Sequence, residues 1–195
     1  IGKEFIGDDS ACLVLGDNIF HGSGFTQMLR DAVHTADEEK KATVFGYWVS
    51  DPERYGVAEF DKEGNCLSIE EKPKEPKSNK ASMGVYMFTW EKLRKYLIDD
   101  ENNPDSSNDF GKNVIPAMHE AGERLFAYGF DGYWKDVGTI DSLWEANLDL
   151  LNPKANIDLA DDSWKIYGRS DSSAPQYISD KAKVENSIVA EGCEI

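Results

Sequence analysis

The chain has 195 residues, with 21 Lys and Arg against 37 Asp and Glu and a formal net charge of −16. That balance excludes a general nucleic-acid binder, which needs clustered cations, and it argues against an anionic membrane surface. With 40% hydrophobic and 11% aromatic residues, a chain of this size buries roughly 70% of its unfolded surface, and no apolar run approaches the roughly 20 residues that span a bilayer.

The N-terminal segment Ile1 to Asp9 lacks the basic and apolar regions of a signal peptide. Residues 11 to 15 form a short apolar run ended by Gly16-Asp17-Asn18, the pattern of a strand buried on both faces of an α/β sheet. Asp17 then stands just past the strand's carboxyl end. Gly24 to Asp37 has apolar residues at helical spacing (Phe25, Met28, Leu29, Ala32, Val33), and Ala42 to Val49 returns to a β-branched and aromatic run. This βαβ order favours a parallel sheet. Val57 to Phe60 and Cys66 to Glu71, joined by Asp61-Lys62-Glu63-Gly64-Asn65, predict a hairpin that Pro73 stops. Ser82 to Phe88 is a further strand, followed by a short helix led by Trp90, Leu93, Tyr96 and Leu97.

Residues 99 to 109 read as a solvated acidic loop, with Asp109 capping a helix that runs through Met118. Arg124 to Phe130 and Trp134 to Val137 are strands. Thr139 caps a helix to Leu151 whose inward residues are Leu143, Trp144, Ala146, Asn147 and Leu150. Near the end, Ile178, Val184 and Ala190 recur every six residues, the mark of a parallel β-helix coil, with an ordinary alternating strand as the other reading.

Three widely spaced cysteines, Cys12, Cys66 and Cys193, form no metal-ligand pattern and read as reduced thiols of a cytoplasmic protein. The histidines His21, His34 and His119 show no triad or metal spacing and read as surface or cap residues. Asp17 and Asp136 are candidates by position, Asp17 just after its strand and Asp136 just before a helix start, and open α/β sheets bind ligands outside the carboxyl ends of their strands. Singly, each reads as a cap or turn residue; together on one ligand they make a hard-oxygen Mg²⁺ site that takes the rest of its shell from water and phosphates. Glu71-Lys72-Pro73 sets a carboxylate and an ammonium side by side at a strand end, where alternation points them apart. The carboxylate can accept from sugar hydroxyls and the ammonium can pair with a phosphate, while the plainer reading is a solvated charge pair.

These residues resemble the sugar-1-phosphate nucleotidyltransferases. Leu13-Val14-Leu15-Gly16-Asp17-Asn18-Ile19-Phe20, Asp51-Pro52-Glu53-Arg54-Tyr55-Gly56-Val57 and Ile69-Glu70-Glu71-Lys72-Pro73 are similar to glucose-1-phosphate thymidylyltransferase. From about residue 79, Ala81-Ser82-Met83-Gly84-Val85-Tyr86, Asn108-Asp109-Phe110-Gly111-Lys112, Gly132-Tyr133-Trp134-Lys135-Asp136-Val137-Gly138-Thr139 and Trp144-Glu145-Ala146-Asn147 are similar to bacterial glucose-1-phosphate adenylyltransferase.

The resemblance implies a mostly parallel, Rossmann-like nucleotidyltransferase sheet flanked by helices, lacking its N-terminal nucleotide-binding part, with the start of a C-terminal left-handed parallel β-helix. The expected division is a catalytic domain over 1–152, a linker over 153–176 and the β-helix start over 177–195. Implied roles are Mg²⁺ ligation by Asp17 and Asp136 and catalysis by Asp17, Lys72 and Asp136. Glu71 and Lys72 would bind the sugar and its phosphate, with Tyr55, Gly56, Ser82 and Tyr86 shaping that pocket. The implied reaction joins a nucleoside triphosphate (ATP or dTTP) to glucose 1-phosphate. It gives ADP-glucose for glycogen synthesis or, alternatively, dTDP-glucose, and the complete protein is expected to be a homo-oligomer, a tetramer. A third reading, since the Gly-rich triphosphate loop is not found, is a non-catalytic sugar-phosphate-binding module.

Overall fold

The structure is a computed structural model that describes residues 2–22, 24–155, 157–159, 161 and 173–195. It divides into two compact units, Ile1–Trp134 and Lys135–Ile195. After a four-residue helix α1 (Lys3–Ile6), the first unit runs β1 (Ser10–Val14), β2 (Asn18–His21), α2 (Phe25–Glu39), β3 (Ala42–Trp48), β4 (Gly56–Phe60), β5 (Cys66–Glu71), β6 (Lys80–Thr89), α3 (Trp90–Glu101), a π-helical turn over Phe110–Val114, α4 (Ile115–Glu120) and β7 (Leu125–Gly129).

The central sheet has the order β5-β4-β6-β3-β7, with β1 also beside β6. It is mixed rather than mostly parallel. β3 pairs with β7 in parallel, whereas β1–β6, β3–β6, β4–β5 and β4–β6 are antiparallel. The β1-α2-β3 unit does bring two strands into the same direction, as the βαβ order predicts. They are not neighbours, because β6, which follows the β4–β5 hairpin, enters between them and runs the other way.

β6 is the centre of the packing. Ala81, Met83, Val85 and Met87 face one core with Ala32 and Ala36 of α2, Phe45, Phe130 and Trp134. Tyr86 and Phe88 face the other with Leu93 and Tyr96 of α3, Ile115 and Met118 of α4, and Leu125. Alternation along one strand thus feeds two layers of helices. Opposite β3 the ladder slips: Val44 pairs with Tyr86 but Gly46 with Ser82. The slip falls at Gly84, whose φ is +68°, a conformation that suits glycine at a bulge. Leu15 closes over it, donating its N–H to the Gly84 carbonyl at 3.0 Å and covering the space a β-carbon would occupy.

Two expectations about burial are corrected. β1 is not buried on both faces: it lies beside β6 alone among the sheet's strands, and Cys12 and Val14 are exposed. His21 is not a surface residue but is buried at the end of β2.

β8 (Tyr133–Asp136) begins in the first unit and ends in the second, which then forms α5 (Ile140–Asp149). Thr139 caps α5 as expected, in a reciprocal box in which its Oγ1 accepts from the Ser142 N–H at 3.2 Å and Ser142 Oγ accepts from the Thr139 N–H at 3.2 Å. The helix is turned differently from the expectation. Ser142 and Ala146, four residues apart on one face, are buried, while Leu143 and Trp144 are exposed. Much of the expected linker over 153–176 lies outside the described residues. Beyond it the chain comes back beside itself: Tyr177 and Glu194 form a parallel bridge, and Tyr177 N–H donates to Cys193 O (2.8 Å) and Ser179 N–H to Ile195 O (2.7 Å).

Candidate functional site

β5 ends at Glu71, and three backbone segments close on its carboxylate. Gly56 stands opposite Glu71 in the β4–β5 hairpin, where a β-carbon would lie 2.8 Å from Glu71 Oε2 and 3.7 Å from Ser82 Cβ. From another side the π-helical turn brings Gly111 so near that its β-carbon would lie 3.2 Å from the same oxygen. That turn is started by Asp109, which accepts the Lys112 N–H at 2.8 Å. β6 supplies the third segment: the Ser82 and Tyr86 hydroxyls are 2.8 Å apart, and the Tyr86 ring packs on Phe110 at 5.1 Å. Burial pushes the Glu71 carboxyl above the ordinary range; the Lys72 ammonium pulls it down and the Asp109 charge adds to the rise. Tyr86 is likewise raised, by burial first.

Glu71 and Lys72 do not point apart as alternation predicts. Lys72 has φ +47°, its N–H donates to Tyr55 O at 3.0 Å, and its ammonium comes back to 3.7 Å from Glu71 Oε1. Left-handed backbone at a non-glycine residue costs roughly 1–2 kcal/mol, so the surrounding contacts impose it. The result is an exposed cation held beside a half-buried carboxylate. Tyr55, next to this turn, packs its ring on Trp134 at 5.3 Å.

The structure therefore brings Gly56, Glu71, Lys72, Ser82 and Tyr86 together, with Tyr55 joined through its carbonyl. Asp17 stands in the exposed turn between β1 and β2, where its Oδ1 accepts from Asn18 Nδ2 at 2.9 Å. Asp136 ends β8 in the second unit, where its Oδ1 accepts from the Gly138 N–H at 2.8 Å. Sequence reasoning missed Asp109 and Gly111 as neighbours of Glu71. It read Asp109 correctly as a cap, and the loop before it is exposed as expected. It also missed Asn18 and Trp134, which lie 116 residues apart and are joined by a hydrogen bond of 2.9 Å from Trp134 Nε1 to Asn18 Oδ1.

The profile described as Nucleotidyl transferase matches residues 1–153. The chain belongs to the nucleotidyl transferase family. Among curated relatives, a protein named glucose-1-phosphate adenylyltransferase from Desulforamulus reducens is 54% identical over 141 residues, 72% of this chain and 35% of the relative. Proteins of the same name from Bacillus cereus and Bacillus thuringiensis are each 43% identical, over 94% and 96% of this chain and 48% and 49% of their own lengths. The nucleotidyl transferase chain thus spans about half the length, or less, of the curated relatives it matches. A single Bacillus relative runs across residue 78, where the sequence motifs change in resemblance.

Asp17 and Asp136, each taken within its own unit, offer the donor chemistry that a divalent ion such as Mg²⁺ takes. Both are hard oxygen donors with one oxygen engaged by an N–H, which leaves the second for a ligand. Among the described residues no group of three or more His, Cys, Asp or Glu gathers to make an all-protein cage. No helix among the described residues is long and apolar enough to cross a membrane.

Proposed function

We propose that the protein transfers the adenylyl group of ATP to α-D-glucose 1-phosphate, giving ADP-glucose and pyrophosphate for glycogen synthesis. The observation that carries this reading is the convergence of Gly56, Glu71, Ser82 and Tyr86 with Asp109 and Gly111 on one half-buried carboxylate beside the Lys72 ammonium. The relatives' name favours adenylyl over thymidylyl transfer.

In this reading Glu71 accepts hydrogen bonds from sugar hydroxyls and Lys72 pairs with the sugar phosphate. Tyr55, Gly56, Ser82 and Tyr86 shape the pocket. A phosphate oxygen of glucose 1-phosphate attacks the α-phosphorus in line, the bond to the bridging oxygen breaks, and pyrophosphate leaves. No protein nucleophile is needed, and positioning supplies most of the acceleration. Asp17 and Asp136 would hold Mg²⁺, which when bound neutralises phosphate charge. Residues 1–152 would form the catalytic domain and 177–195 the start of a left-handed parallel β-helix after a linker over 153–176. The bridge from Tyr177 to Glu194 supports the latter, because three six-residue repeats make a coil of that length. We further propose a cytoplasmic homo-oligomer, a tetramer in the complete protein.

Pyrophosphate release with glucose 1-phosphate and either ATP or dTTP tests this reading, with Asp17→Asn and Asp136→Asn alongside. Turnover with ATP that falls at least a hundredfold in both variants is expected. Normal release by Asp136→Asn overturns the metal assignment. Glucose 1-phosphate binding by calorimetry without turnover under any condition replaces the enzyme with a sugar-phosphate-binding module.

A further inference from the structure

The Asp17 carboxylate is exposed and sits in a turn, a poor arrangement for a group that must hold an ion in fixed geometry. What orients it is its neighbour. Asn18 Nδ2 donates to Asp17 Oδ1 at 2.9 Å, and Asn18 Oδ1 accepts from Trp134 Nε1 at 2.9 Å. Trp134 is 7% exposed and belongs to the core that packs on α2. Its ring packs on those of Tyr47 and Tyr55, with centroids at 5.5 and 5.3 Å.

The direction of this relay follows from chemistry. An indole N–H can only donate and a carboxylate can only accept. Between them the Asn18 amide has one orientation that satisfies both: carbonyl toward Trp134, amino group toward Asp17. Turned by 180°, it would set a donor against a donor and an oxygen against an oxygen. The half-buried Asn18 thus passes the rigidity of a buried indole to an exposed carboxylate and commits one oxygen, Oδ1, to the protein.

We propose that Asn18 is a positioning residue for Asp17, locked by the Trp134 indole, and that it leaves Asp17 Oδ2 as the oxygen presented to a divalent cation. This rests on the metal role given to Asp17 above. Outer partners that orient a metal ligand are typically worth 10- to 100-fold in metal affinity.

Three variants of the protein test it: Asn18→Ala, Trp134→Phe, which keeps an aromatic ring and removes the N–H, and the pair. The half-saturating Mg²⁺ concentration and the Mn²⁺ dissociation constant, read by electron paramagnetic resonance of the free ion, should each rise about tenfold in both single variants. The double variant should be no worse than Asn18→Ala, because both cut one relay. In the parent protein the Trp134 indole N–H resonance should move on Asn18→Ala, a measurement that needs no tryptophan variant to fold. The proposal is overturned if that resonance stays in place. It is equally overturned if the Trp134→Phe loss appears only in the KM for glucose 1-phosphate, or if the two losses multiply. Asp17→Asn separates this from the reading it rests on. If Asp17→Asn leaves the Mg²⁺ response intact, the metal role of Asp17 fails. If it abolishes the response while Asn18→Ala and Trp134→Phe leave it at the parent value, the relay alone fails.

Discussion

Gly56→Ala adds one methyl group directly in front of Glu71. The new carbon would stand 2.8 Å from Glu71 Oε2, against an ordinary contact of about 3.5 Å, so the carboxylate must retreat by roughly 0.7 Å. The backbone does not resist, because Gly56 is not among the positive-φ residues. The atom displaced is the far end of a flexible side chain. Stability should therefore hold or rise by about 0.4–1 kcal/mol through the unfolded chain. Binding should not hold. A hydrogen bond to a charged group contributes about 1.5–3 kcal/mol, and a misplacement near 1 Å costs on the order of a hundredfold. The KM for glucose 1-phosphate should rise by roughly ten- to a hundredfold, with the KM for ATP little changed. Steady-state kinetics with each substrate varied, beside a thermal melt, measures both. An unchanged KM for glucose 1-phosphate, or a lowered melting temperature with equal losses for both substrates, refutes the reasoning.

Glu71→Gln should lose sugar-phosphate affinity and yet make the protein more stable at neutral pH. Burial is the main cause that raises the Glu71 carboxyl, and a raised acid contributes stability while protonated that is lost as pH climbs through its folded value. Chemical denaturation across pH should show the variant ahead at pH 7 and the gap closing below the ordinary glutamate value of about 4.3. Thr139→Ala removes the acceptor for the Ser142 N–H and should cost about 1 kcal/mol, seen as faster amide exchange in the first turn of α5, with Thr139→Ser restoring most of it. Burial pushes the Cys66 thiol up to about 11, so at pH 8 roughly one molecule in a thousand carries the thiolate. Iodoacetamide should label the exposed Cys193 well before Cys66.

Much of the chain's local order was legible because local chemistry decides it. The β4–β5 hairpin, the caps at Asp109 and Thr139, and the apolar β6 were readable from turn residues and runs of side-chain type. Strand neighbours were not. Nothing in the spacing of β1, α2 and β3 announces that a strand from residues 80–89 will come between them. The candidate site divides the same way. Asp17, Glu71, Lys72 and Asp136 stood out at strand ends. By contrast, alternation does not give the side-chain direction at Lys72, since the residue before a proline normally stays extended and tertiary contacts hold this one at φ +47°. Gly111 beside Glu71 and Trp134 beside Asn18 are meetings of distant segments, and no periodicity reports them.

The bulge at Gly84 also limits how this chain could be recombined. Leu15 occupies the space that any larger residue at 84 would need and donates its N–H to that residue's carbonyl. Two residues on, Asp17 follows, and on either side of the bulge stand Ser82 and Tyr86. The first strand and β6 therefore behave as one heritable part. A crossover between relatives at residues 20–75 would join a foreign turn to a strand that must receive its leucine, and it would survive only where both parents keep the same partners at positions 15 and 84.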